Sequence, residues 1–135
     1  MTSAGEALPP VTVAVTLQRL VMEAAANRDF APIHHDPDVA RGSGAPAVYA
    51  NTTFVETLLE AAIRSWAGPA ARIRVLEFAM TSFNCVGDEV SAAGVVTAAQ
   101  PEGDGVRAEL DVWVESERGR TATGSAVVAL PVSRA

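Results

Sequence analysis

Between Phe54 and Trp66 the apolar residues Phe54, Val55, Leu58, Leu59, Ala62, Ile63 and Trp66 recur at i, i+1, i+4, i+5, i+8, i+9 and i+12. That spacing puts all seven on one broad face of a single helix. Burying each large side chain stabilises by roughly 1.5–3 kcal/mol, so the stripe demands a covering surface. Thr53 followed by Glu56 has capping-box spacing and predicts the helix start. Gly68-Pro69 predicts its end.

The covering surface is foreshadowed downstream, where the period changes to two. Arg72–Phe83, Glu89–Ala99, Val106–Glu115 and Thr121–Leu130 read as strands. In the third, Ala108, Leu110, Val112 and Val114 alternate with Glu109, Asp111, Trp113 and Glu115, giving one core face and one mostly polar face. The separators are Val86-Gly87-Asp88, the run from Pro101 to Gly105, and Arg118-Gly119; such short connections predict an antiparallel meander. Upstream, Val11–Val15 predicts a short first strand after Pro9-Pro10, with residues 1–10 expected to be flexible. Thr16 is placed to cap a helix over Leu17–Ala26, with Leu20, Val21, Ala24 and Ala25 on one face. The run from Arg41 to Pro46 reads as a flexible connector. No repeat or composition break divides the chain, so residues 1–135 are expected to form one domain. The order implies an α+β fold in which a curved antiparallel sheet wraps one long central helix; another two-layer α+β sandwich is the alternative.

Chemistry is concentrated elsewhere, in Arg28-Asp29-Phe30-Ala31-Pro32-Ile33-His34-His35-Asp36-Pro37, which holds both histidines of the protein. The prolines predict a stiff turn-rich loop, neither helix nor strand. Asp29 and His34 can point an acid and an imidazole into one cavity, a pair suited to moving protons through a bound water. The same pattern also fits a satisfied surface turn.

Composition removes other classes. Ten Lys+Arg against sixteen Asp+Glu give a net charge of −6, unlike a nucleic-acid binder. All the basic residues are arginines, which excludes Schiff-base lysine chemistry. One cysteine, Cys85, allows no intramolecular disulfide, and with two adjacent histidines no metal site is expected. The first ten residues lack signal-peptide character and no apolar run is long enough for a membrane span, so a soluble cytoplasmic protein is expected.

Three segments together resemble the MaoC-like, (R)-specific enoyl-CoA hydratases of the hotdog fold. They are Asp29-Phe30-Ala31-Pro32-Ile33-His34 with Ala40 beyond it, Val86-Gly87-Asp88-Glu89-Val90, and Thr123-Gly124-Ser125-Ala126-Val127-Val128. The resemblance runs from about Thr16 to Pro131. Arg28-Asp29-Phe30, His34-His35-Asp36 and Trp66-Ala67-Gly68-Pro69 further resemble the small catalytic subunit of the heteromeric hydratases that act on steroid side-chain enoyl-CoA thioesters in actinobacteria.

The resemblance implies a single hotdog domain that hydrates a trans-2-enoyl-CoA to a 3-hydroxyacyl-CoA, or runs the reverse dehydration. Asp29 and His34 match its catalytic pair. The backbone N–H of Ala50 matches the oxyanion donor at the entrance of the long helix, and Tyr49 and Asn51 become candidate substrate contacts. No cofactor is implied, since coenzyme A is part of the substrate. A single hotdog leaves a sheet edge open, so a dimer or larger is expected, most sharply a heteromer with a second MaoC-like chain. The sequence departs from the family pattern at Arg28, where glycine is usual, at Ala31, where asparagine is usual, and in a shorter connector before Pro46. The alternatives are a homomeric fatty acyl-CoA hydratase, a hotdog acyl-CoA thioesterase and a non-catalytic tunnel-forming subunit.

Other residues carry plainer readings. His35 lacks the offset of His34 and reads as a loop residue; Asp36 reads as a turn-former before Pro37. Trp66 and Phe54 read as core, and Cys85 as a small buried hydrophobe. Arg72, Arg74, Arg118 and Arg120 are either contacts to coenzyme A phosphates or solvated surface arginines.

Overall fold

The apolar stripe is the centre of the fold. A computed structural model describes residues 2–132 of the chain; Met1 and residues 133–135 of the expected domain lie outside them. In it α3, Thr52–Ala67, buries Phe54, Val55, Leu58, Leu59, Ala62, Ile63, Trp66 and Ala67. These join one core cluster with inward residues of the sheet, among them Val96, Leu110, Val112, Val114 and Val128. The helix begins two residues before the expected capping box. Its N-cap is Asn51, whose side-chain oxygen accepts the Phe54 N–H at 2.9 Å. Gly68 closes its other end at φ +87°, as Gly68-Pro69 predicts.

Before α3 come β1 (Ala7–Ala14), α1 (Leu17–Ala26, with Thr16 as N-cap) and the short α2 (Pro37–Gly42); after it come β2 (Arg72–Met80), β3 (Glu89–Glu102), β4 (Gly105–Ser116) and β5 (Gly119–Leu130). The five strands form one antiparallel sheet in the order β1-β3-β4-β5-β2. Each strand pair carries one register shift, between Leu8 and Val11, Ile73 and Val75, Val96 and Ala98, and Val114 and Glu115. Such irregularities bend strands and increase twist, which lets the sheet curve round α3.

Three expectations need correction. Pro9 and Pro10 lie inside β1 instead of preceding it, because β1 is an edge strand and its register shift removes them from regular pairing. The N-terminal residues expected to be flexible are also tied down. Gly5 N–H donates to Val96 C=O at 2.8 Å, and Trp66 Nε1–H donates to Glu6 Oε1 at 2.9 Å. Third, only β3-β4-β5 is a meander. β2 pairs with β5, so residues 81–88 cross to the far side of the sheet instead of making a hairpin. Period-two patterning marks a strand but does not choose its neighbour.

Gly124 permits the β5–β2 pairing. It faces Phe78, and a Cβ there would lie 2.0 Å from Glu77 O. Only glycine allows so close a backbone approach.

Candidate active site

The site starts with how α1 ends. Arg28 N–H donates to Ala25 C=O at 3.1 Å and Asp29 N–H to Ala24 C=O at 2.8 Å, with Arg28 at φ +55°. This is a Schellman closure, whose left-handed residue is usually glycine. The departure at Arg28 therefore falls where glycine is conformationally favoured, and arginine adopts the same backbone. Asp29 is thereby fixed to the end of a helix.

Pro32 opens a one-turn 3-10 helix, Pro32–His34, closed by His34 N–H on Ala31 C=O at 3.1 Å. The expected loop is thus largely helical, since Asp36 caps α2 by accepting the N–H groups of Asp38 at 3.0 Å and Val39 at 3.3 Å. The flexible connector likewise starts later than Arg41, within α2. The turn brings His34 Nε2 to 3.1 Å from Asp29 Oδ2. His34 is buried, whereas the Asp29 side chain is 34% exposed, so solvent reaches the carboxylate.

The ring is held from behind. His34 Nδ1 lies 2.8 Å from the Tyr49 carbonyl. A carbonyl only accepts, so Nδ1 carries hydrogen, and Nε2 beside Asp29 carries one only in the imidazolium form. Asp29 is held too: Asn51 Nδ2–H donates to Oδ2 at 3.2 Å and Ala31 N–H to Oδ1 at 3.3 Å. The Asn51 bond leads the effects that keep the carboxyl below its ordinary value, against partial burial, with help from Ala31 and His34.

A cavity of about 300 Å³ gathers Asp29, Ile33, His34, Met80 and residues 49–53. The N-terminus of α3 opens into it. The Thr52 and Thr53 amides have no acceptor among the described residues and carry the positive end of the helix dipole. Ala50, expected to donate there, does not have a free N–H: it donates to Asn84 C=O at 2.9 Å. Asn84 is itself buried and accepts from Thr121 Oγ1 at 2.6 Å. Asn51 lines the cavity as well, with its amide bonded to Asp29 and Phe54. Tyr49 lines the cavity, its ring edge-on to His34 at 5.6 Å and 4.7 Å from Phe83. The segment is stitched to the sheet by a Tyr49–Cys85 bridge and by Val86 N–H on Val48 C=O at 2.9 Å. Thr52, Thr53 and Asn84 escaped sequence reasoning. Only the polar run Asn51-Thr52-Thr53 before the apolar stripe hinted at the first two.

The remaining candidates sit apart. His35 is exposed, and Cys85 is buried. Arg74 pairs with Glu102 at 2.6 Å, Arg118 with Asp88, and Arg120 lies 4.1 Å over the Trp113 ring; Arg72 is exposed. Among the described residues no group of three or more His, Cys, Asp or Glu is placed to hold a metal ion, and no helix is long and apolar enough to cross a membrane.

No family model matches the chain. Over 98 residues, 73% of this chain and 76% of the relative, it is 32% identical to the 3-oxo-4,17-pregnadiene-20-carboxyl-CoA hydratase beta subunit of Mycobacterium tuberculosis. The chain belongs to the MaoC-like (R)-specific enoyl-CoA hydratases. Solved structures agree on the hotdog fold of this family. A chain of the ChsH1–ChsH2 complex from M. tuberculosis superposes with a TM-score of 0.88 at 27% identity, covering 96% of this chain and 99% of that one. The (R)-hydratase from A. caviae involved in PHA biosynthesis gives 0.86 at 23% identity, over 96% and 98% of the two chains. As a MaoC-like hydratase the chain is an enzyme of the hydratase and dehydratase class.

Proposed function

We propose that Asp29 and His34 carry out the hydration of a trans-2-enoyl-CoA to a 3-hydroxyacyl-CoA, or its reversal. The observation that carries this is the 3.1 Å approach of His34 Nε2 to Asp29 Oδ2 in a cavity bounded by the N-terminus of α3. The depressed carboxyl favours an Asp29 carboxylate, which faces the Nε2–H of His34 when both ring nitrogens carry hydrogen. Asp29 then takes a proton from water as its oxygen bonds to C3. His34 Nε2–H delivers a proton to C2 as the C2–C3 π bond is lost. The proton on Asp29 passes to His34 across their contact, resetting the pair, and the sum is one water added. Negative charge developing on the thioester oxygen is met by the Thr52 and Thr53 amides, donors already in place. No electrons are transferred to or from a third species, so the reaction needs no cofactor beyond the coenzyme A of the substrate.

The substrate is a bulky steroid side-chain acyl-CoA and the enzyme is a heteromer with a second MaoC-like chain. Two things support this: the steroid substrate and beta-subunit standing named for the M. tuberculosis relative, and a second cavity one residue further along α3. That cavity, of about 450 Å³, is walled by Val11, Val13, Met22, Phe54, Leu58 and Ala61 and suits an apolar acyl group. The test follows loss of ultraviolet absorbance of the conjugated thioester. It compares a short trans-2-enoyl-CoA with a steroid side-chain enoyl-CoA, alone and with a second MaoC-like subunit, for wild type and Asp29→Asn. Turnover of the bulky substrate only with the partner, abolished in Asp29→Asn, supports the reading. Full activity alone on the short substrate overturns the steroid and heteromer assignments.

A further inference from the structure

We infer that Asn51 is a positioning residue that ties the Asp29 carboxylate to the N-terminus of α3, the helix end that bounds the cavity. This rests on the reading of Asp29 as catalytic. Asn51 is 7% exposed, and its one amide group makes two bonds of opposite sense. Its oxygen accepts the Phe54 N–H at 2.9 Å, and its nitrogen donates to Asp29 Oδ2 at 3.2 Å. A backbone N–H can only donate and a carboxylate only accept, so the amide has one permitted orientation. Twenty-two residues of sequence separate the two side chains, and the bond crosses from the end of α1 to the start of α3. Asp29 Oδ2 is thereby shared between Asn51 and His34, the two contacts that set its direction, while Ala31 N–H holds Oδ1. Any displacement of the α3 N-terminus, and with it the Thr52 and Thr53 amides, carries the carboxylate along.

Asn51 therefore does two separable jobs, and substitutions divide them. Serine and aspartate cap helices about as well as asparagine, so Asn51→Ser and Asn51→Asp retain the cap. Serine is too short to reach Asp29 while capping, and aspartate replaces the donor with a like charge. His34 and Tyr49 are the other titratable side chains lining the cavity.

The experiment measures kcat, KM and the pH profile of the active assembly for both variants beside Asp29→Asn. It also follows the Asp29 carboxyl by carbon-13 titration, which needs no substrate. In Asn51→Ser, kcat is expected to fall about 10–100-fold, the worth of one hydrogen bond to a charged group. KM and Tm should stay near wild type, and both the acid limb and the Asp29 titration should move to higher pH. Asn51→Asp moves them further. A structural cap alone would leave titration and profile unmoved in Asn51→Ser; that result, with Asp29→Asn inactive, overturns the inference and spares the assignment of Asp29. Full activity in Asp29→Asn overturns the assignment itself, and this inference with it.

Discussion

The Nδ1 atom of His34 lies 2.8 Å from the carbonyl oxygen of Tyr49, so the imidazole ring is oriented from behind by the backbone. The position can therefore tolerate change in the Tyr49 side chain. Tyr49→Phe keeps the carbonyl and the edge-on ring contact, and kcat should stay within about threefold of wild type, as for substitutions that break no special interaction. His34→Asn should lose about 10²–10⁴-fold, the range for general acid–base catalysis. Steady-state rates on any enoyl-CoA turned over by wild type decide both, and a Tyr49→Phe loss as large as that of His34→Asn contradicts the backbone account.

Asp29 sets a pH dependence of definite sign. Its carboxyl is held below its ordinary value by Asn51 first, then Ala31 and His34, against the opposing effect of burial. The carboxylate is the working form in the proposed reaction. The acid limb of kcat/KM due to Asp29 should therefore fall below the ordinary aspartate range. Linkage gives stability the same sign: the contribution is complete above the unfolded value and lost as pH falls through the folded one. An acid limb above the ordinary range, or an Asp29→Asn variant with wild-type dependence of its urea midpoint on pH, contradicts this.

Thr52→Pro isolates the helix-terminal donor. Thr52 is the first residue of α3, where proline is well tolerated because that N–H is outside the helical ladder. Asn51 already has the extended backbone that precedes proline comfortably, φ −80° and ψ 173°. Melting should change little while kcat falls by about 10²–10³, as for loss of one oxyanion donor. Wild-type turnover in a folded Thr52→Pro protein excludes that amide.

Ala61 tests where the acyl group lies. It is exposed on α3 yet walls the larger cavity, so added bulk there does not crowd the core. Ala61→Phe should raise KM for the bulky substrate by about 10-fold or more, as steric filling of an apolar pocket costs 1–3 kcal/mol. A short enoyl-CoA should be unaffected. Equal effects on both substrates place the acyl group elsewhere.

What the sequence disclosed follows from the range of the forces involved. The face of α3 and the alternation in β4 were legible because burial is periodic along the chain itself. Asp29 and His34 were legible because a short rigid turn joins them. The β2–β5 pairing was not, since Gly124 and Phe78 meet only in three dimensions. Ala50 was misread for the same reason, since its N–H is taken by Asn84, and the bond from Asn51 to Asp29 went unseen because no local pattern names either partner. Arg28 concealed its Schellman position by not being glycine.

The stitching of residues 48–50 to residues 84–86 has a consequence for how the molecule comes into being. Asp29, His34 and all of α3 are synthesised before Asn84, Cys85 and Val86. Yet the carbonyl that orients the imidazole is anchored only when that later segment docks, a contact of long sequence separation. A nascent or partly refolded chain can possess its helices and the side chains of Asp29 and His34 while remaining inert. Turnover should be among the last properties to return during refolding, after the helical signal and no sooner than closure of the sheet.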